Sequence, residues 1–111
     1  VTGFPYDIRT SPRNNLAAFQ ALSIKARAVR RLGAAALDLA YVASGRFDGY
    51  WEEKLSPWDV AAGLLLVEEA GGRLTNYEGA PVVIREGRVV ATNGRIHAAL
   101  LAALREVEAG G

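Results

Sequence analysis

Hydrophobic positions in the first half of the chain recur at helical spacing in two stretches. Residues 12–31 carry apolar side chains every three or four positions, behind a Ser11-Pro12 pair that is typical of a helix start. Residues 34–43 are rich in alanine and leucine, which predicts a second helix buried on most sides, with Gly45 as its C-cap. The first four residues have the pattern of a strand end. We therefore expect a strand followed by two helices.

The second half of the chain predicts short strands around two further helices. Residues 47–52 alternate aromatic and polar side chains as a strand does, and residues 57–70 follow another Ser-Pro pair as a nearly all-apolar core helix. The pattern then predicts a strand at 73–77, a hairpin within 82–92 turned at Glu86-Gly87, and a last helix after Asn93-Gly94. This order predicts a layered α/β fold.

Composition places the chain among ordinary globular domains. It has 111 residues, a mass of 11.8 kDa, 50% hydrophobic and 23% charged residues, and we expect one domain over 1–111. The absence of cysteine excludes disulfides, thiolate zinc sites and a cysteine nucleophile, and fits a reducing compartment, so we expect a cytoplasmic protein. The sequence contains no run of about 20 apolar residues, so it predicts no membrane-spanning helix.

Charge is unevenly distributed along the chain. Residues 1–46 carry seven Lys or Arg and two acids, whereas residues 47–111 carry six and ten. A basic first half suits a phosphorylated ligand or nucleic acid. The alternative is that these basic residues form the solvated face of the first helix. They are Arg13, Lys25, Arg27, Arg30 and Arg31.

Small residues stand at the start of the second predicted helix. Gly33, Ala34 and Ala35 would let an anion approach the unpaired backbone N–H groups and the positive end of the helix dipole. The same composition also arises from close packing alone. His97 is the only histidine, and we expect a structural residue there, because no partner set for a triad or a histidine-rich metal site accompanies it.

Two acids flank the start of the third predicted helix. Asp59 lies in its first turn, where a carboxylate is either a partner of the helix dipole or a metal ligand. Glu52 ends the preceding strand and could face the same pocket as Asp59. The alternative for Glu52 is an exposed strand-end pair with Glu53.

Two sequence blocks combine these glycines, small residues and acids. Residues 30–52 read RRLGAAALDLAYVASGRFDGYWE, and residues 56–63 read SPWDVAAG, followed by EAGG at 69–72. The second block is similar to the W-D-x-A-A-G signature of the inositol monophosphatase family, and the first resembles the run that precedes it. Residues 1–3 and 91–93 resemble the strands on either side, so the resemblance spans nearly the whole chain.

The resemblance implies a role for each candidate residue. Asp59 would bind a catalytic Mg²⁺ and help to place the attacking water. Gly33, Ala34 and Ala35 would contact the phosphate or the sugar ring through backbone groups, and Glu52 would hydrogen-bond ring hydroxyls. Many members of the family carry serine or threonine at the position of Ala34, so any contact of that hydroxyl is lost here.

The resemblance also implies a fold and an activity. The fold is the C-terminal α/β layered half, a mixed sheet flanked by helices, of an α-β-α-β-α enzyme. No part of residues 1–111 resembles the D-P-x-D-G-T signature and the upstream glutamate that supply the other metal carboxylates, so we expect an N-terminal metal-binding half elsewhere. The implied activity is Mg²⁺-dependent hydrolysis of inositol 1-monophosphate, with negligible activity of the 111 residues alone.

Other members of the family leave alternatives open. Fructose 1,6-bisphosphate, adenosine bisphosphate and NADP are alternative substrates. A different class of function is a non-catalytic module that binds RNA or a transcription complex. The family's frequent homodimers make a homodimer the expected assembly.

Overall fold

A sheet lies between two pairs of helices in the computed structural model, which describes residues 1–110. The elements in chain order are α1 (Leu16–Lys25), α2 (Ala35–Ala43), β1 (Gly49–Glu52), α3 (Pro57–Glu69), β2 (Arg73–Thr75), a 3₁₀ turn (Ile84–Glu86), β3 (Val89–Thr92) and α4 (His97–Gly110). The layered α/β class is confirmed. None of these helices is long and apolar enough to cross a membrane.

The named strands form an antiparallel sheet, and the parallel pairing that the expected mixed sheet requires is present only in isolated bridges of Thr2. The order of the named strands is β1-β3-β2, and β3 pairs antiparallel with both neighbours. Thr2 extends the sheet beyond β1 by bridging in parallel to Trp51 on one side and to Arg31 on the other. The Thr2 backbone N–H also donates to the Arg30 carbonyl at 3.0 Å. The start of the chain is therefore strand-like and lies beside β1.

The two faces of the sheet pack against different helices. Side chains alternate along a strand, so Tyr50 and Ala91 point to the face covered by α2 and α3, whereas Trp51 and Val90 point to the face covered by α1 and α4. We call these the α2–α3 face and the α1–α4 face. The apolar helix residues buried on the first are Leu39, Val42, Val60, Leu64 and Val67, and those on the second are Ala18, Leu22, Leu100, Leu101, Ala103 and Leu104.

The first helix is much shorter than predicted. It covers Leu16–Lys25 instead of 12–31, so the prediction of a start at Ser11-Pro12 is wrong. Asn15 precedes it with a left-handed backbone (φ 69°), which a continuing helix cannot contain. The Asn15 side chain holds this conformation by donating to Thr2 Oγ1 at 2.9 Å and accepting from Trp51 Nε1 at 2.8 Å.

The residues after α1 leave the helix because they pair with the sheet. Arg30 and Arg31 lie beside Thr2, as described above, and Ala26 is already extended. The alternative that the five basic residues form one solvated helix face is therefore wrong: only Lys25 lies in α1, whereas Arg13, Arg27, Arg30 and Arg31 are exposed outside it.

The predicted hairpin within 82–92 is wrong in its first strand. Only Val89–Thr92 forms a strand, and a 3₁₀ turn replaces its expected partner. Gly87 (φ 67°) turns toward Leu55, whose N–H donates to the Gly87 carbonyl at 3.1 Å. A Cβ on Gly87 would lie 2.5 Å from the Leu55 oxygen, so this close approach requires glycine.

The helix α3 is less completely buried than its composition predicts. Pro57 stands at its first position, which confirms the Ser56-Pro57 start. One face is buried, but Leu65 and Leu66 on the opposite face are exposed. The apolar run therefore describes a helix with one covered face rather than a fully enclosed one.

Candidate functional site

A cleft of about 670 Å³ opens where the N-terminal ends of α2 and α3 meet the end of β1. The structure brings five candidate site residues of the sequence analysis to its walls. They are Gly33, Ala34, Ala35, Glu52 and Asp59. Residues that are far apart along the chain thus meet at one position, although the role of each remains a prediction.

The start of α2 presents backbone N–H groups at this cleft. Gly33 has φ 87°, and a Cβ there would meet no atom within 4 Å, so the backbone conformation rather than space favours glycine. Ala34 is the N-cap and provides no side-chain hydrogen bond. The first helical bond runs from the Asp38 N–H to the Ala34 carbonyl at 2.9 Å. The N–H groups of Ala35 and Ala36 therefore have no helical acceptor and can bind an anion.

Asp59 stabilises the start of α3. Its Oδ2 accepts a hydrogen bond from the Ser56 backbone N–H at 3.2 Å, and its own N–H donates to the Ser56 carbonyl at 3.0 Å. The interpretation as a partner of the helix terminus is thus confirmed. Asp59 is only half-buried and lines the cleft, so this capping bond is compatible with a second ligand on the carboxylate.

Glu52 is held inside the cleft wall. Its Oε1 accepts a hydrogen bond from the Tyr50 hydroxyl at 2.7 Å. Burial, together with the negative charges of Asp38 and Asp59, raises the pKa of Glu52 to about 7 against the opposing effects of the Tyr50 hydrogen bond and Arg31. A carboxyl group with this pKa can both accept and donate a hydrogen bond at neutral pH.

Glu52 and Glu53 do not form an exposed pair. Successive strand residues point to opposite faces, and Glu53 Oε2 lies 3.1 Å from Arg13 and 3.4 Å from the Nε atom of Arg88. Glu52 lines the cleft on the other side. The alternative of an exposed strand-end pair is therefore wrong.

The donor set fits part of a magnesium site. Mg²⁺ prefers six oxygen ligands, including one or two carboxylates, and Asp59 is a carboxylate on the cleft wall. Within residues 1–110 no group of three or more His, Cys, Asp or Glu side chains could hold a metal ion. This part of the chain can contribute the ligand Asp59 but not a complete metal site.

His97 lies away from the cleft. It is fully buried at the start of α4, with Nε2 at 2.7 Å from Thr75 Oγ1 and Nδ1 at 2.8 Å from Thr92 Oγ1. Burial lowers the pKa of His97, and the positive charge of Arg73 lowers it further. The expectation of a structural histidine agrees with this placement.

Two residues of the site were not singled out in the sequence. Tyr50 reaches Glu52, and the sequence did carry a signal for this contact, since strand residues two positions apart share a face. Gly3 lies against the Glu52 carboxylate, and only the parallel pairing of Thr2 with Trp51 reveals this contact. Arg9 and Arg31 also line the cleft and give one side of it a positive charge.

Comparisons with known proteins identify the relatives of this chain. A model of the inositol monophosphatase family matches residues 1–109. The chain is 49% identical to an inositol-1-monophosphatase of Synechocystis over 104 residues, covering 94% of this chain and 36% of that protein. It is 45% identical to the Nus factor SuhB of Pseudomonas aeruginosa over 106 residues, covering 94% of this chain and 39% of that protein.

A solved structure gives the same picture in three dimensions. The inositol monophosphatase from Anabaena (Nostoc) superposes with a TM-score of 0.92 at 56% identity, covering 95% of this chain and 42% of that one. The chain thus spans about two fifths of the length of the proteins it matches. Because the family model covers nearly all of its residues, the chain belongs to the inositol monophosphatase family.

Proposed function

We propose that this chain is the C-terminal half of a Mg²⁺-dependent phosphomonoesterase that hydrolyses inositol 1-monophosphate or a related sugar phosphate. The observation that carries the proposal is the meeting of Gly33, Glu52 and Asp59 in one cleft, together with membership of a family whose relatives include inositol-1-monophosphatases. The remaining metal carboxylates would come from an N-terminal half of the same protein.

Each wall of the cleft would perform a separate task. The backbone N–H groups at the start of α2 would bind the phosphate or the ring without a serine or threonine hydroxyl, since Ala34 has none. Glu52 would hydrogen-bond a ring hydroxyl. Asp59 would hold Mg²⁺, which when bound supplies an activated water and stabilises charge on the phosphate oxygens.

The first experiment is an intact mass measurement on the protein produced from its complete reading frame. A subunit mass about twice 11.8 kDa or more is expected, because the missing carboxylates must lie in additional chain. A subunit of 11.8 kDa would contradict the two-half arrangement. Native mass measured on the same sample tests the proposed homodimer, which would have twice the subunit mass.

The second experiment measures phosphate release by that protein. Inositol 1-phosphate is expected to be hydrolysed with Mg²⁺ and not with EDTA, and residues 1–111 alone are expected to release no phosphate. Fructose 1,6-bisphosphate, adenosine bisphosphate and NADP serve as competing substrates. A higher kcat/KM for one of them would move the proposal to that substrate, whereas turnover by the isolated chain would contradict it.

A second candidate function is a module that binds RNA or a transcription complex. Two observations favour it: a relative at 45% identity is a Nus factor, and Arg27, Arg30 and Arg46 line a second cleft of about 310 Å³. Binding of single-stranded RNA should then weaken steeply between two salt concentrations, because phosphate contacts release counterions. Absent or salt-insensitive binding would reject this candidate.

A further inference from the structure

We propose that Tyr50 and Gly3 are positioning residues that hold the Glu52 carboxylate in the orientation that recognises a hydroxyl group of the substrate. This inference rests on the proposed function, because it concerns how that site selects its ligand. Tyr50 and Gly3 are not among the residues expected to bind the ligand, but substitution of either should measurably change the choice of substrate.

Tyr50 holds the carboxylate from inside the protein. Tyr50 and Glu52 are two positions apart on β1, so both point to the α2–α3 face. The tyrosine is 0% exposed and its hydroxyl donates to Glu52 Oε1 at 2.7 Å. A buried ring packed in the core has one accessible rotamer, so this donor is fixed before any ligand arrives.

Gly3 forms the surface on which the carboxylate lies. A Cβ on Gly3 would overlap Glu52 Oε1 and lie 2.8 Å from Oε2, closer than a Cβ carbon packs against a non-bonded oxygen. Glycine at this position therefore makes room for the whole carboxylate. The isolated parallel bridge between Thr2 and Trp51 brings Gly3 beside Glu52.

The two carboxylate oxygens of Glu52 differ in the hydrogen bonds that they accept. Oε1 already accepts from the Tyr50 hydroxyl, whereas Oε2 accepts no hydrogen bond from residues 1–110 and keeps its full capacity for a ligand in the cleft that Glu52 lines. A carboxylate without these supports would have to lose rotamer freedom when a ligand binds. Preorganisation of this kind favours ligands that carry a hydroxyl and gives no advantage to those that lack one.

Two variants test the proposal, with one matched control. Tyr50→Phe removes the hydroxyl and keeps the ring, and Gly3→Ala displaces the carboxylate, which lies at the end of a flexible side chain and can move without unfolding the sheet. Tyr77→Phe is the control, because Tyr77 is a buried tyrosine on the α1–α4 face, outside the cleft lining.

The measurement compares two substrates of the protein made from its complete reading frame. Inositol 1-phosphate carries ring hydroxyls, and 4-nitrophenyl phosphate carries none. Tyr50→Phe and Gly3→Ala should each raise KM for inositol 1-phosphate roughly five- to tenfold and leave KM for 4-nitrophenyl phosphate within about twofold. Equal changes for both substrates, or none for either, would overturn the proposal. Tyr77→Phe should change neither.

A spectroscopic measurement separates this proposal from the proposed function. In Tyr50→Phe, the carboxyl ¹³C signal of Glu52 should titrate at a higher pH than in the unmodified protein, because a donor to the charged form is lost. An unchanged titration would show that Tyr50 does not hold Glu52. If the unmodified protein hydrolyses neither substrate, the proposed function fails, and the titration still decides the Tyr50 contact.

Discussion

The two faces of the sheet differ in how they treat their buried polar groups. On the α1–α4 face, both ring nitrogens of His97 have hydroxyl partners, and Arg88 lies within ion-pair distance of three carboxylates, although its buried Nε donates no hydrogen bond within residues 1–110. On the α2–α3 face, Asp38 is 1% exposed, and neither of its carboxylate oxygens accepts a hydrogen bond from the described residues 1–110. Glu52 on the same face is partly buried, and burial raises its pKa.

This difference indicates that the α1–α4 face contributes mainly to stability and the α2–α3 face mainly to chemistry. Satisfied polar networks rigidify a core, whereas buried carboxyls with few partners cost stability and are concentrated at functional sites. The cleft opens on the α2–α3 side, at the helix termini that flank Glu52. Variants on the two faces should therefore differ in kind: those near the cleft should change activity, and those on the other face should change unfolding.

The largest effect is expected from Asp59→Asn. In the protein made from the complete reading frame, kcat should fall roughly a hundredfold or more, because a neutral amide is a poor ligand for Mg²⁺. The free energy of unfolding should change by less than about 0.5 kcal/mol, since the amide oxygen can still accept from the Ser56 N–H. Phosphate release measures kcat, and urea unfolding measures the free energy of unfolding. Glu69→Gln, on an exposed part of α3, is the control, and an unchanged kcat would remove Asp59 from the site.

The next-largest effect is a change in the free energy of unfolding on substitution of Asp38, whose carboxyl accepts no hydrogen bond from residues 1–110. Burial raises its pKa to about 6, from an ordinary value of 3.8. The fold favours the neutral form, so the stability gained from it is complete below pH 3.8 and is lost as pH rises through about 6. Asp38→Asn should raise the free energy of unfolding by about 2 kcal/mol at pH 8 and by much less at pH 4.

Urea unfolding at the two pH values checks this prediction. The exposed acid Glu86 gives the matched control Glu86→Gln, which should show no such pH-dependent gain. A destabilised Asp38→Asn at pH 8 would mean that the carboxylate has a partner that residues 1–110 do not supply.

Two nearly identical Ser-Pro pairs show when a local sequence pattern is enough to predict a helix start. Ser56-Pro57 and Ser11-Pro12 both predict a helix start, but only the first is correct. The second fails because Asn15 bonds to Thr2 and Trp51, which lie 13 and 36 residues away. Local propensity decides a helix terminus only where no distant group competes for the same residues.

The site follows the same rule. Glu52 and Asp59 are separated by a short turn, and their common cleft could be predicted from the sequence. The contact of Gly3 with Glu52 depends on a parallel pairing across the sheet, which no local pattern contains. The family resemblance supplied the functional interpretation of these residues, since spacing alone left Asp59 with two explanations.

A smaller effect is expected at His97, on the α1–α4 face. Because burial lowers its pKa below 6.5, the fold favours the neutral ring, and the stability it contributes is complete above pH 6.5 and is lost as pH falls. His97→Gln should cost about 1–3 kcal/mol at pH 8, because one amide cannot satisfy both threonine hydroxyls. The cost should be smaller at pH 5, and kcat should stay unchanged. A loss of activity without loss of stability would contradict the division between the faces.

The smallest effect is expected from the charged residues at the edge of the α1–α4 face. Arg88 stacks over the Tyr77 ring at 4.3 Å and lies 2.9 Å from Glu78, so Arg88→Gln should cost about 1 kcal/mol. The exposed pair of Lys25 and Glu106 is the comparison, and Glu106→Gln should leave the urea midpoint unchanged, because water and salt screen such pairs. If both variants changed the free energy of unfolding equally, the stacking on Tyr77 and the additional carboxylates around Arg88 would contribute no more than a single surface ion pair.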